Sequence, residues 1–389
     1  MTEPLSAEGA IEEPANVTYR RVDGSPPWAG LRIAYLARCP ARSGSGVFHK
    51  IMSQCAVWER LGARPELFLG VDRHEPGETP QAFSRVHEYR YNSFLARALA
   101  QTRAVRDIVS SNPDLVYARY DLYHPAFEAM RRRPLVLEVN TDDSIEYALY
   151  TRRRALFNRL TRSRMLDLAT GLAFVTRELA ESSSFPSLVP RVVVGNSVDL
   201  ASVVPVPPVF NDQPVVGMAG SLSQPWQGVD FILEAARLRP GWRFELVGRT
   251  GWADLPPNVK ALSAVSRPAL GEIFSRWDMG LGPLALERKG LHESSPLKVM
   301  DYLAHGLPVV LGGPVELPGP VSEYVTQIDG PPSAASLIAA IERLWIATRS
   351  RRVPRSQVAG IDATVRERVR LEFMASLAIA APGASRMAS

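Results

Sequence analysis

The segment 293–301 carries the residue types of an anion-binding helix start. Ser295 is a typical N-cap, and Pro296 is a typical first helical residue because proline has no amide hydrogen to leave unpaired there. The unpaired amides of a helix start bind phosphates. Lys298 in the first turn is disfavoured by the helix dipole by about 0.3–1 kcal/mol unless an anion lies beside it. The pattern therefore indicates a phosphate site, the alternative being a surface lysine whose stem covers Tyr302 or Leu297.

Polar residues also follow two predicted strands in the first half of the chain. Arg119 ends the apolar run 115–119, and Glu138, Asn140 and Asp142 lie at or just beyond the end of the run 135–139. Ligands of parallel sheets bind outside the carboxyl ends of the strands, so these residues are candidate ligand contacts. Glu138 has two interpretations that we keep open, a role in the chemistry and a structural ion pair with Arg119.

A glycine-containing loop, Gly44-Ser45-Gly46, stands between the first predicted strand and the first predicted helix. A dinucleotide-binding loop would have a third glycine where this chain has His49, and an acid after the second strand, where Asp72 is the one candidate. A nicotinamide site is therefore disfavoured. The alternative is that Ser45 and the helix start bind a hydroxyl or phosphate of a substrate.

Short apolar runs separated by helix-length segments must position these residues. This alternation is typical of a parallel sheet with helices on both faces. The predicted strands are 31–37, 65–70, 115–119, 135–139, 171–175 and 191–194, followed by 215–220, 244–248, 279–281 and 308–311.

The pattern predicts an α/β protein with two Rossmann-like, doubly wound domains that face a central cleft. Prolines cluster between residues 205 and 214, where neither helical nor alternating patterning is visible, and this indicates a connector between the domains. The predicted organisation is a disordered tail at 1–28, an N-terminal domain at 29–200, a linker at 201–213, a C-terminal domain at 214–365, and a final segment at 366–389 that returns to the N-terminal domain.

The chain resembles the family-4 retaining nucleotide-sugar glycosyltransferases of the GT-B fold. The resemblance lies in Glu293, seven residues, then Asp301, followed by a Tyr-Leu-Ala-His-Gly-Leu-Pro-Val-Val run. It extends to the glycine loop at 44–46 and to the segments 194–199 and 220–228. The resemblance implies that Glu293 bonds the donor sugar and that Asp301 bonds the ribose. It also implies that the helix start holds the donor diphosphate, through Ser295, Leu297 and Lys298, close to Gly220. On the other domain it implies that Gly44, Ser45, Gly46, Arg119 and Asp142 meet the acceptor, and that Glu138 and Asn140 join Glu293 as catalytic residues.

Two basic residues that such enzymes use to neutralise the diphosphate are replaced here by Ser221 and Gln227. Arg288 and Lys289, just ahead of Glu293, are the favoured substitutes. The full set of candidates is Arg249, Arg267, Arg288, Lys289 and Lys298.

The resemblance implies a retaining, metal-independent glycosyltransferase without a cofactor. Its partners would be a nucleotide-diphosphate sugar donor and a hydroxyl acceptor, which is a small molecule, a glycan or a lipid-linked compound of natural-product or cell-envelope synthesis. The missing basic pair leaves a second hypothesis open, a catalytically silent GT-B homologue that acts as a partner subunit. A third is a related enzyme that uses a nucleotide-linked cyclitol or epimerises a nucleotide sugar.

Composition excludes several other classes. The 45 basic and 40 acidic residues give a net charge of +5, and no nucleic-acid-binding motif accompanies it. Cys39 and Cys55 lack the spacing of a disulfide framework or a zinc site, which fits a reducing cytoplasm.

Residues 147–168 form a predicted basic amphipathic helix, for which packing on the N-terminal domain is favoured over contact with a membrane.

Overall fold

A computed structural model describes residues 24–39, 45–72, 83–317 and 321–380. In the N-terminal domain a seven-stranded parallel sheet has the order β3-β2-β1-β4-β5-β6-β7. The elements are β1 (Arg32–Arg38), α1 (Gly46–Arg60), β2 (Arg64–Asp72), β3 (Val86–Tyr91), α2 (Phe94–Ser111), β4 (Leu115–Arg119), β5 (Leu135–Val139), α3 (Asp143–Tyr150), α4 (Arg152–Leu166), β6 (Gly171–Phe174), α5 (Arg177–Glu181) and β7 (Arg191–Val193).

The C-terminal domain has a six-stranded parallel sheet of order β10-β9-β8-β11-β12-β13. Its elements, with the helix that follows them, are β8 (Val215–Ala219), α6 (Val229–Leu238), β9 (Arg243–Val247), β10 (Val259–Leu262), α7 (Arg267–Phe274), β11 (Met279–Leu281), α8 (Leu297–Ala304), β12 (Val309–Leu311), β13 (Val325–Gln327), α9 (Ala334–Thr348) and α10 (Ala363–Ala380). The two parallel-sheet α/β domains confirm the predicted fold class.

Central strands agree best with the sequence patterns. All five residues of β5 are buried, and β4 and β5 have the predicted bounds. Strands β3, β10 and β13 were not predicted, and each lies at the edge of a sheet with partly exposed side chains. An edge strand is covered less completely, so its sequence lacks the continuous apolar run of a central parallel strand.

The last helix crosses from the C-terminal domain to the N-terminal domain. The crossing point is tied by the Val198 amide, which donates to the Ile361 carbonyl at 3.1 Å. Beyond it, Leu371 and Met374 of α10 are buried in the same hydrophobic core as Ile33 of β1. The linker also packs, since Val206 is buried in the core of the C-terminal domain.

The folded chain begins before the predicted boundary at residue 29. Trp28 is 6% exposed in the N-terminal core, and its indole Nε1 donates to the Leu61 carbonyl at 3.0 Å. The predicted tail therefore contains at least one core residue, while residues 1–23 lie outside the described ranges.

The predicted helix over 147–168 is in fact two helices, α3 and α4. Thr151 separates them with extended backbone, and its side chain accepts from the Arg154 amide as the N-cap of α4. The expected packing of its apolar stripe is wrong for Leu149, Leu156 and Leu160, which are 49%, 56% and 69% exposed. No helix among the described residues is long and apolar enough to cross a membrane.

Candidate functional site

A cleft of about 590 Å³ lies between the two domains, at the carboxyl ends of their central strands. This is where ligands of doubly wound sheets bind. The predicted site residues that line it are Ser45, Gly46, Arg119, Asn140, Gly220, Arg267, Lys289, Glu293, Ser295, Leu297, Lys298 and Asp301. Glu138, Asp142, Arg249 and Arg288 do not line it, and Gly44 lies outside the described residues.

Helix α8 begins in this cleft, one residue later than the sequence predicts. Its N-cap is Pro296 and no side chain caps it, so the prediction that Ser295 is the cap is wrong. The Ser295 hydroxyl instead accepts from the Asn196 amide at 2.8 Å, and this bond joins the segment before α8 to the end of the N-terminal domain. The first-turn amides of α8 are thereby left without a side-chain acceptor, as an anion site requires.

Lys298 extends from the first turn of α8 into the cleft. Its Nζ donates to the Gln227 side-chain oxygen at 2.8 Å, and the described residues provide no acidic partner for it. Burial lowers the pKa of Lys298 to about 7. Gly220 lies against it, with a φ of +121°, and a Cβ there would stand 3.3 Å from the lysine Cε. The glycine therefore gives the lysine stem its room.

The other candidate cations divide into two groups. Lys289 and Arg267 line the cleft, each with an acidic partner: Lys289 pairs with Glu146 at 3.0 Å and Arg267 with Asp301 at 2.6 Å.

The second group lies outside the cleft. Arg288 forms two bonds to Asp230, at 2.8 and 2.7 Å, and stacks on Phe231, so the preference for Arg288 as a phosphate contact is wrong. Arg249 lies over the Trp252 ring at 4.5 Å. Both guanidinium groups therefore contact residues of the C-terminal domain that do not line the cleft.

The two acids of the resemblance, Glu293 and Asp301, both have partners within the protein. One carboxylate oxygen of Glu293 accepts from the Glu178 amide at 2.9 Å, and the Glu178 carboxylate accepts from the Glu293 amide at 2.7 Å. Glu178 also accepts from the His292 amide at 3.0 Å. Burial alone would raise the pKa of the Glu178 carboxyl, but the bonds from Glu293 and His292 outweigh it and lower that pKa. These reciprocal bonds connect α5 of the N-terminal domain to the loop before α8.

Glu138 does not reach the cleft. It is fully buried, and its carboxylate accepts from Lys50 Nζ at 2.6 Å and lies 3.5 Å from Arg119. Burial alone would raise the pKa of Glu138, but Lys50, Arg119 and Arg370 outweigh it and hold that pKa far below its usual value. The structural ion pair is therefore the correct interpretation, and a catalytic contact for Glu138 is wrong. Lys50 and not Arg119 is its closest partner.

The predicted acceptor contact Asp142 is also corrected. Its side chain accepts from the Ser144 amide at 3.0 Å as the N-cap of α3, and it is 5% exposed. Asn140 does line the cleft, and its side-chain oxygen accepts from Lys50 Nζ at 3.2 Å.

Sequence reasoning missed Lys50 and Glu178. Lys50 lies on the buried face of α1 beside Phe48 and Ile51, and a lysine on an apolar face was a signal that it has a buried acid as partner. Glu178 gave no such signal, because its partner loop lies more than a hundred residues away. Among the described residues, no group of three or more His, Cys, Asp or Glu side chains could hold a metal ion.

Residues 213–346 match the family described as "Glycosyl transferases group 1". No curated protein sequence matches this chain.

Solved structures show the same fold at low identity. Sucrose-phosphate synthase from Thermosynechococcus elongatus is 14% identical, with 90% of this chain and 96% of that chain covered and a TM-score of 0.61. A lipopolysaccharide outer core galactosyltransferase in its apo form is 12% identical, with 89% and 99% covered and a TM-score of 0.56. An α-glucosyltransferase in complex with UDP and a 13-mer DNA is 13% identical, with 89% and 96% covered and a TM-score of 0.53. The chain therefore has a GT-B fold, and its domain match together with this fold supports a GT-B glycosyltransferase.

Proposed function

We propose that the chain is a retaining glycosyltransferase that moves a sugar from a nucleoside-diphosphate sugar to a hydroxyl acceptor. The observation that carries this proposal is the start of α8, where uncapped amides and Lys298 face the cleft and no acid among the described residues pairs with the lysine. A helix start and an unpaired cation together favour a bound diphosphate. The UDP in the complex of the α-glucosyltransferase neighbour is consistent with such a donor.

In this proposal the C-terminal side of the cleft binds the donor and the N-terminal side binds the acceptor. Lys298, Lys289 and Arg267 on the C-terminal side meet the diphosphate, and Glu293 bonds hydroxyls of the donor sugar with the carboxylate oxygen that Glu178 leaves free. Asp301 bonds the ribose after giving up part of its contact with Arg267, which is then available to the diphosphate. The N-terminal side, with Ser45, Arg119 and Asn140, holds the acceptor.

Transfer then needs no protein base. The acceptor oxygen forms a bond to the anomeric carbon on the face that the diphosphate leaves, the bond from that carbon to the phosphate oxygen breaks, and the acceptor proton passes to the departing diphosphate. The fixed cations and the α8 amides stabilise the charge that develops on the diphosphate. Positioning of the two substrates supplies much of the remaining rate. We propose that these groups replace a divalent metal ion.

The test is a thermal-shift screen of the full chain against nucleoside diphosphates and nucleotide sugars. A ligand present at a hundred times its dissociation constant stabilises the folded state by about 2.7 kcal/mol. Hits are then assayed for sugar release or transfer, with the configuration of the product read by NMR. A product with inverted configuration would contradict the retaining mechanism, and no shift with any nucleotide would contradict the donor site.

One observation favours the second candidate, a catalytically silent partner subunit. Glu293 and Asp301, the two acids of the resemblance, are both engaged by protein partners, at 2.9 Å and 2.6 Å. Nucleotide binding without sugar release or transfer to any acceptor would support this candidate.

A further inference from the structure

A buried cluster of charges lies behind the N-terminal side of the cleft, and its charges do not balance. Glu138 contacts Lys50 at 2.6 Å, Arg119 at 3.5 Å and Arg370 at 3.9 Å. Arg370 also pairs with Glu367 at 2.9 Å. Among the described residues, three cations therefore share two carboxylates, which leaves one positive charge in excess.

Acids nearby do not supply the missing charge. Asp121 lines a side pocket together with Arg119, but its carboxylate is paired with Arg38 at 2.6 Å and Arg97 at 3.1 Å. This second group also has one more cation than acid. The cationic excess at this edge of the sheet is therefore not neutralised by the described residues around it.

Arg119 is the cation of this cluster that lies farthest from its nearest carboxylate, and it lines the cleft. The short contact of the Glu138 carboxylate is with Lys50, and its contact with Arg119 is longer, at 3.5 Å. The Arg119 side chain is 22% exposed and lines the cleft, whereas Lys50 and Arg370 are 4% and 1% exposed. A partly desolvated cation without its own counter-charge is costly, and an anionic ligand would remove that cost.

The surroundings of Arg119 suit an anion. Lys50 belongs to the second turn of α1, whose start at Gly46 also faces the cleft. Its Nζ lies 3.2 Å from the Asn140 side-chain oxygen, so the ammonium reaches the cleft lining. Burial, together with Arg119 and Arg370, lowers the pKa of Lys50 to about 8 against the effect of Glu138, as expected beside excess positive charge.

We propose that Arg119 and Lys50 form a second anion site, which binds a phosphate or carboxylate group carried by the acceptor. It lies on the N-terminal side of the cleft, whereas the α8 start and Lys298 lie on the C-terminal side. Naming the ligand as the acceptor depends on the proposed glycosyltransferase function; the anion site does not. The inference narrows the acceptor to compounds that are anionic next to the hydroxyl that receives the sugar.

The experiment separates the two anion sites with inorganic phosphate as the probe. The full chain is titrated with phosphate by calorimetry at constant ionic strength. The first protein titrated is the Lys298→Met variant, in which the α8 site is weakened. We expect this variant to retain phosphate binding, and the added Arg119→Gln change to weaken it at least tenfold. Arg119→Lys keeps the charge and should bind within about threefold of the parent. Arg103→Gln, an exposed arginine on α2, is the matched control and should change nothing.

A second arm assigns the site to acceptor or donor. Arg119→Gln should leave the nucleoside-diphosphate dissociation constant within twofold of the wild type, while Lys298→Met raises it more than tenfold. Equal losses in the two variants would show one donor site spanning the cleft and would overturn the proposal. So would phosphate binding that is absent in Lys298→Met or unaffected by Arg119→Gln. If phosphate binds at Arg119 but no nucleotide binds the wild type, the proposed function fails and the anion site stands.

Discussion

Replacement of Lys298 by methionine tests the donor site most directly, because this variant keeps the apolar stem and removes the charge. The lysine Nζ has the neutral Gln227 side chain as its partner at 2.8 Å and lines the cleft beside the α8 start. A hydrogen bond to a charged group contributes about 1.5–3 kcal/mol. Since 1.4 kcal/mol is tenfold in affinity, Lys298→Met should weaken nucleoside-diphosphate binding roughly 10- to 150-fold.

The pKa of about 7 for Lys298 adds a pH dependence whose sign is defined. Above pH 7 the lysine of the ligand-free protein is mostly neutral, whereas a bound diphosphate favours its charged form. Binding must then take up a proton, so affinity should fall with rising pH, by up to about tenfold for each unit between pH 7 and 9. At pH 8 binding should therefore take up most of a proton for each ligand bound. Calorimetry in buffers of different ionisation enthalpy measures that uptake, and Lys298→Met should show none.

The folding stability of the protein without ligand, measured relative to the Lys298→Met variant, should rise with pH, whereas the diphosphate affinity should fall. The pKa of Lys298 lies below its unfolded value of about 10.4, so the unfolded chain binds more protons between pH 7 and that value. Stability of the wild type relative to Lys298→Met therefore rises with pH across this window, and below pH 7 the variant should have the higher melting temperature. Lys260→Met, an exposed lysine on β10, is the control and should match the wild type throughout. Unchanged diphosphate affinity in Lys298→Met, or equal proton uptake in both proteins, would refute the reasoning.

Three further predictions follow from the site and from the chain ends. Glu293→Gln keeps an oxygen that accepts from the Glu178 amide but loses the charge. Transfer should therefore fall at least tenfold, while the nucleoside-diphosphate dissociation constant stays within twofold of the wild type. Loss of diphosphate binding would contradict the sugar-binding role. A metal chelator should leave most transfer activity intact, and abolition that added divalent ion restores would overturn the metal-independent mechanism. Removal of residues 1–28 takes away the buried Trp28 and should cost about 3–5 kcal/mol relative to removal of residues 1–23. Equal melting temperatures for the two truncations would show that the indole contributes nothing.

Sequence alone determined the order and type of the central elements. Strands β4 and β5 have the predicted bounds because a strand buried on both faces must be apolar along its whole length. The helix start near residue 296 was also predictable, since a proline at this point is a local signal for it. These features depend on neighbouring residues and on periodicity, and both are visible in a single sequence.

Tertiary structure decided which charges face the cleft. Arg288 and Lys289 are adjacent in sequence, yet Asp230 holds the arginine outside the cleft and the lysine lines it. Glu138 is neutralised by Lys50, which is 88 residues away, and Ser295 is engaged by Asn196 at a separation of 99. A charged side chain takes the partner that compensates its loss of water, and that partner is set by how the two sheets and α10 come together in space. No local pattern in the sequence carries that information.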